Sequence, residues 1–418
     1  MQLENLIAER VPFMHRRLDN GLSMVVAPDP AATVVSINVW YKVGSRDEPL
    51  GRFGIAHFIE HLMFQGTERT ERGEFTELIN RAGGSPNATT GFDRTSFFMS
   101  VPRASLELAL WLEADRMHSR LRGTPPESLR DQLAVIRQEA AQRARKPEAR
   151  LFDRLVGRLA PSQANYGHNA IGDVDALETL TIDDVHAFAD RHHVPQNAVV
   201  TLVGAVRADE GFALIERYFA AVQNPPKSTI DGLRDGVVHA AELVPTSKTP
   251  VIAGLAIKLP SSPSSRYAQA AAALDAIGRQ KTGPFGRHLD LSPTGDHDVS
   301  VSDIPLHRSY SVGFVFIRST DSRSIQGFAD RARDAFSSAC AAGLAEQEWA
   351  SAVRRRTADH LARLSDLRHR AEVLSELVAV NGDTTASLTE GFLPNSRTTP
   401  GRLTELFAFD SLTVDVAA

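Results

Sequence analysis

Apolar and polar residues alternate over 22–45, LSMVVAPDPAATVVSINVWYKVGS, in two runs parted by a Pro/Asp turn, the period-two signature of a hairpin or neighbouring strands. After a loop at 48–54 the period lengthens. In 55–64, IAHFIEHLMF, apolar residues recur three and four apart, which predicts a short helix. A second helix is predicted over 71–82, then a glycine-rich turn and loop, GGSPNATTGFD, and a strand, TSFFMSV. Helices follow over 106–119 and 126–146, the latter polar enough to expose one face. A helix over 181–192 leads into VPQNAVVTLVGAV, whose apolar run reads as a buried strand, and a helix over 209–221 closes the section.

Pro225 and Pro226 open a polar stretch, 223–232, that reads as a boundary. Beyond it the order of elements returns: a strand in VIAGLAIKLP, a helix over 266–277, strands HDVSVSDI and SYSVGFVFI, and long helices over 324–342 and 346–374. A period of roughly 210–230 residues without letter-level identity predicts an α+β chain of two similar domains, 1–222 and 223–418. Each would be a mainly antiparallel sheet packed with helices. The last stretch, GFLPNSRTTPGRLTELFAFDSLTVDVAA, does not resemble the end of the first half, and a truncated or an altered terminus is the expectation.

Composition narrows the classes of function. The 418 residues carry 46 Lys+Arg against 51 Asp+Glu, a net charge of −5, and the hydrophobic content of 42 % is enough for a core in each domain. The Arg-rich stretches at 143–150, 331–333 and 354–356 are interrupted or balanced by acids, so nucleic acid is not an expected partner. One cysteine, Cys340, excludes an intrachain disulfide framework and a thiolate zinc knot, leaving His, Asp and Glu as metal ligands. The opening MQLENLIAERVPFMHRRLDNG has no secretory-leader pattern, and no segment reaches the roughly 18 apolar residues of a membrane span. The default address is the cytoplasm; a leader removed ahead of residue 1 would make it the periplasm.

The sharpest chemical signal is HFIEH, 57–61. Residues four apart share a helical face, so His57 and His61 can converge on one ion with Glu60 beside the open coordination position. Zinc held by two imidazoles and a carboxylate keeps a water, lowers its pKa, and lets a neighbouring glutamate take its proton. Flanking Ile55, Phe58, Ile59, Leu62 and Phe64 place this triplet on a largely buried helix, where idle polar groups would be costly. Spacing alone cannot select the third ligand from 51 acids.

At this point the chain resembles the M16 zinc peptidases, the pitrilysin, insulinase and mitochondrial-processing-peptidase type with the inverted HxxEH motif, and within them the half-sized M16B-type subunits. RFGIAHFIEHLMFQGTE resembles the family's metal helix and following turn, GGSPNATTGFDRTSFF its glycine-Asn-Ala loop running into an edge strand, and VIRQEAAQ its second metal helix. NYGHNAIGD and VPQNAVVTLVGAV match later landmarks of the first domain. The resemblance implies a LuxS/MPP-like fold forming half of a clamshell, with one Zn2+ per chain in the first domain and none in the second. It makes His57, His61 and Glu139 the ligands and Glu60 the base. The family carries a glutamate seven residues before the third ligand, where this chain has Gln132, an amide that can hydrogen-bond a ligand histidine without a carboxylate's charge. Asn87 and Ala88 match the substrate-contacting loop, with Asn87 equally able to hold an Asx-turn, and Phe97 lies in the strand 95–98 that the resemblance makes the peptide-binding edge. Tyr166 resembles an aromatic of the family's Pro-Tyr-Gly stretch, here Asn-Tyr-Gly, where packing would serve as well.

Active relatives also carry an Arg and a Tyr seven residues apart in a second domain. Here only Tyr267 and Tyr310 follow residue 223, and the positions seven before them are Pro260 and Asp303. The resemblance therefore implies a zinc-bearing subunit that needs a homologous M16B-type partner supplying the pair, in a heterodimer or higher assembly acting on small or unfolded peptides. Three alternatives stay open: compensation by another residue such as Arg308, a non-catalytic assembly or scaffold protein, and a zinc hydrolase of non-peptide substrates.

Overall fold

The computed structural model describes residues 11–160, 166–225, 251–278, 283–289, 297–319, 328–381, 393–394 and 403–417. The strands are β1 (Met14–Arg17), β2 (Ser23–Pro28), β3 (Val34–Tyr41), β4 (Ser85–Thr90), β5 (Thr95–Pro102), β6 (Ala198–Gly204), β7 (Val251–Leu259), β8 (His297–Ile304), β9 (Ser311–Ser319) and β10 (Ala408–Ala417). The helices of the first half are α1 (Ile55–Leu62), α2 (Glu74–Arg81), α3 (Leu106–Ser119), α4 (Glu127–Ala144), α5 (Pro147–Leu159), α6 (Val174–Leu177), α7 (Ile182–His192) and α8 (Ala208–Phe219). Those of the second are α9 (Ser265–Gly278), α10 (Pro284–His288), α11 (Phe328–Ala342), α12 (Glu346–Ser365) and α13 (Leu367–Asn381). None of the described helices is long and apolar enough to cross a membrane.

Two compact α+β units result. The first draws its described residues from 1–140, 169–234 and 362–388. Its six-stranded sheet has the order β1-β2-β6-β3-β5-β4, antiparallel except for β2 beside β6. Strand alternation sorts β3 onto two faces. Val35, Ile37, Val39 and Tyr41 enter the core with Phe58 and Ile59 of α1, Leu110 of α3 and Ile215 of α8. Ser36, Asn38 and Trp40 face the other way, where α13 covers β3 and β6. That cover is polar at its centre: Ser375 Oγ lies 2.8 Å from Thr201 Oγ1 and 3.3 Å from Asn38 Oδ1, and Ser96 Oγ lies 3.2 Å from Asn38 Oδ1.

The second unit draws on 141–168, 235–361 and 389–418, with the antiparallel sheet β10-β7-β9-β8. Helix α5 packs against β7 and β10 so closely that a Cβ at Gly254 would meet Leu155 Cδ1 at 2.8 Å and Leu151 Cδ2 at 3.0 Å. The alanine run 270–273 of α9 and Phe336 of α11 belong to the unit's hydrophobic core with Leu255 and Ile257 of β7.

The compact units cross the expected 222/223 division twice. The stretch 147–159, which the sequence reading leaves without an element, is α5, started by Pro147 at its first turn and belonging to the second unit. The single helix expected over 346–374 is two helices. Asp366 separates them because its carboxylate accepts the His369 N–H at 2.9 Å, a cap that starts α13, and α13 joins the first unit. The stretch expected to be a loop, 83–93, holds β4, whose SPNATT lacks an apolar alternation because it is only half-buried on one face. Consequently β5 is an inner strand and β4 the edge, correcting the expectation that 95–98 forms the edge.

Candidate metal centre

Helix α1 starts after Gly54, whose φ of +102° and lack of room for a Cβ, which would sit 2.3 Å from Ile171 O, both require glycine. The Glu48 carboxylate, 2 % exposed, accepts the backbone N–H of Gly54 at 2.6 Å and of Ala56 at 2.9 Å. An acid thus satisfies the first orphan donors of the helix at its positive end. Burial pushes the Glu48 carboxyl well above its ordinary value, against the pull of those two hydrogen bonds.

One turn apart, His57 Nε2 and His61 Nε2 lie 3.3 Å from each other, and each is 3.8 Å from Glu139 Oε2 of α4. Among the described residues this trio is the group of three whose ligand atoms all lie within 4.8 Å of one another. Burial, with His61 adding to it, lowers His57 to about 4, so that its ring is neutral at neutral pH and its lone pair free. His61 turns its other nitrogen to Gln132, with Nδ1 3.2 Å from Oε1. The amide oxygen can only accept, so His61 carries its proton on Nδ1 and keeps the Nε2 lone pair for an ion. Two imidazole nitrogens and a carboxylate oxygen, bare toward a common point, fit a zinc ion with an open position. Helix α4 buries only Ser128, Gln132 and Ile136, a single four-residue stripe, while the Glu139 side chain keeps 41 % exposure.

Glu60 is buried beside this trio, and Thr90 Oγ1 donates to its Oε2 at 2.5 Å. Burial raises the Glu60 carboxyl above its ordinary value; the Thr90 bond opposes the shift, followed by the electrostatic pull of His61 and Arg94 nearby. Thr90 is not legible in the sequence because the letters of 83–93 read as a loop. A threonine two residues after Asn87-Ala88 in a strand of small polar residues is the signal that could have found it.

Asn87 and Ala88 lie on β4, opposite Phe98 and Phe97 of β5, and no described strand pairs with the outer edge of β4. The Phe97 side chain is 1 % exposed, with its ring against Tyr41 and Phe64 and beneath the Arg116 guanidinium at 4.0 Å. Phe97 is therefore a core residue rather than a substrate contact, because the pleat turns it inward. Tyr166 is buried in the second unit with its ring 5.6 Å from that of Tyr310, a packing role. Tyr267 donates to Asp303, which also accepts from Arg356 at 2.9 Å, and the Tyr310 hydroxyl is buried, so neither described tyrosine of the second half is presented to solvent.

A helix bearing His-x-x-Glu-His, completed by a glutamate from a distant helix, is the donor set of the zinc metallopeptidases. Two family descriptions match in tandem: insulinase (peptidase family M16) over residues 23–161 and the peptidase M16 inactive domain over 179–356, and the chain belongs to the M16 family of zinc peptidases. It is 34 % identical to the zinc protease PqqE of Helicobacter pylori over 233 residues, covering 53 % of this chain and 52 % of that protein. Against the mitochondrial-processing peptidase subunit beta of Blastocladiella emersonii it is 29 % identical over 204 residues, 49 % of this chain and 43 % of that protein. The sequence match thus spans about half the length of these curated relatives. Among solved structures, a protease from Helicobacter pylori superposes with a TM-score of 0.85 at 22 % identity, over 97 % of this chain and 99 % of that one. The periplasmic protease PqqL of Escherichia coli gives 0.73 at 18 %, over 97 % of this chain and 47 % of that chain.

Proposed function

We propose that this chain is the zinc-bearing subunit of a metalloendopeptidase that hydrolyses small or unfolded peptides. The observation that carries the reading is the convergence of His57, His61 and Glu139 with a buried, hydrogen-bonded Glu60 alongside. Zinc bound by the trio would acidify a water and polarise the scissile carbonyl. Glu60, buried beside the trio and raised by that burial, would take the proton of the attacking water and deliver it to the departing amine nitrogen. The unpaired edge of β4 offers N–H and C=O groups to an extended peptide, which would add as a strand whatever most of its side chains are. Asn87, exposed on that strand, is the side chain best placed to meet it.

A partner is part of the proposal. Neither tyrosine after residue 223 has an arginine seven residues before it, so a homologous subunit would supply the Arg/Tyr pair that steadies the tetrahedral oxygen. The test is hydrolysis of unrelated peptides by the natively purified particle, with its intact mass and metal content. Zinc, a second chain, and activity abolished by Glu60→Gln are expected. Gln132 and the missing pair favour a second reading, a non-catalytic assembly member; it prevails if the intact, zinc-loaded particle cleaves no peptide.

A further inference from the structure

We propose that Thr90 is the positioning residue for Glu60, and that the hairpin presenting Thr90 is anchored from the far end of the sequence by Arg94 and Glu372. The inference rests on Glu60 acting as the base. Among the described residues, Thr90 is the protein hydrogen-bond partner of the Glu60 carboxylate, engaging Oε2 and leaving the other oxygen free for water. Thr95 Oγ1, 3.5 Å away, is the competing acceptor for the Thr90 proton. It is farther off and uncharged, and Thr95 spends its own proton on Val43 O at 3.0 Å, so the Thr90 proton goes to Glu60.

Thr90 ends β4, and the turn to β5 closes with Gly91 N–H donating to Arg94 O at 2.8 Å. The Arg94 guanidinium then straddles the hairpin. Nη1 donates to Thr89 Oγ1 at 2.5 Å and Thr89 O at 3.2 Å, the group lies 5.1 Å over the Trp40 ring, and Nη2 donates to Glu372 of α13 at 2.9 Å. All of these residues belong to the first unit. A continuous series of contacts, Glu372–Arg94–Thr89/Thr90–Glu60, thus ties the base to a helix more than 300 residues later in the chain. The same hairpin carries the exposed edge of β4, so one anchor sets the base and the peptide-binding edge together.

Thr90→Val removes the hydroxyl at nearly constant volume, and Thr90→Ser keeps it. In the reconstituted zinc peptidase, Thr90→Val is expected to lower kcat by roughly ten- to a hundredfold, with KM and zinc affinity within about twofold of wild type, while Thr90→Ser stays within about threefold. Glu372→Gln is expected to lower kcat less and to speed amide exchange across 85–100, which Thr90→Val leaves unchanged. A wild-type kcat in Thr90→Val, equal losses in the valine and serine variants, or a parallel fall in zinc affinity would overturn the assignment. Absence of hydrolysis by wild type overturns the proposed function instead. Crystal structures of zinc-loaded wild type and Thr90→Val then decide the positioning role: a Thr90–Glu60 separation beyond about 3.5 Å, or an unmoved Glu60 in the variant, refutes it.

Discussion

Gln132 makes a quantitative test of the metal site. Its Oε1 accepts from His61 Nδ1 at 3.2 Å, a hydrogen bond to an uncharged amide at a position 9 % exposed. Neutral bonds contribute about 0.5–1.5 kcal/mol net and bonds to a charged group about 1.5–3 kcal/mol, so Gln132→Glu gains on the order of 1 kcal/mol in the metal-bound state. A carboxylate also raises the basicity of the ring that holds the ion. Against this stands the cost of a nearly buried negative charge, which the bound cation offsets but the empty site does not. The net expectation is zinc binding about three- to tenfold tighter, since about 1.4 kcal/mol is tenfold. Gln132→Ala leaves the imidazole N–H without its acceptor and should weaken binding by about ten- to a hundredfold. Competition between the apoprotein and a chromophoric chelator at fixed pH measures all three. Affinity in the order Glu, Gln, Ala supports the reasoning; an alanine variant equal to wild type, or a glutamate variant weaker than it, refutes it.

Glu139→Gln should lose zinc by at least about tenfold in the same titration, and unchanged affinity removes Glu139 from the ligand set. Glu48→Ala strips the acceptors from two N–H groups at the start of α1 and should cost about 2 kcal/mol or more, read as a fall in the denaturant midpoint with an unchanged slope. His193, fully buried, is lowered to about 3 by burial, with His192 and Arg116 adding to it. The unfolded chain takes up that proton below about 6.5 and the folded one only near 3, so stability is full above the higher value and drains as pH falls between them. The loss is roughly 3 kcal/mol by pH 4 from this group, and His193→Leu should flatten that part of the acid limb in urea titrations. Deletion from residue 362 onward removes α13 and uncovers Val25, Trp40, Val199 and Val203 on the first sheet, and it also takes β10 from the second; dye-binding, exchange-labile protein is expected, and a native-like melting transition would contradict the packing described.

The helix Ile55–Leu62 is readable because its burial stripe and its candidate ligands lie within eight consecutive residues, and both follow from one period. The 106–119 helix and the strands at 297–304 and 311–319 were equally local. What escaped depended on partners distant in sequence. SPNATT forms β4 because β5 lies beside it, not because its own letters favour a strand. The 346–374 helix concealed a cap at Asp366, since an apolar pattern runs through both sides of the break. Glu139 could be picked only by resemblance, because a helix with three buried residues gives its acids nearly equal claims. The inward turn of Phe97 follows from strand register, which residue type does not encode.

The reciprocal loan of α5 and α13 bears on how the molecule is made. All strands of the first sheet have been synthesised once Gly204 is added, yet the helix that covers one of their faces ends at Asn381. At about 5–20 residues per second the nascent sheet waits roughly 9–35 seconds for its cover. Over that interval Asn38, Thr201 and Ser96 meet water where the mature protein meets Ser375, so the centre of a face otherwise lined by Val25, Trp40, Val199 and Val203 is wetted before its cover arrives.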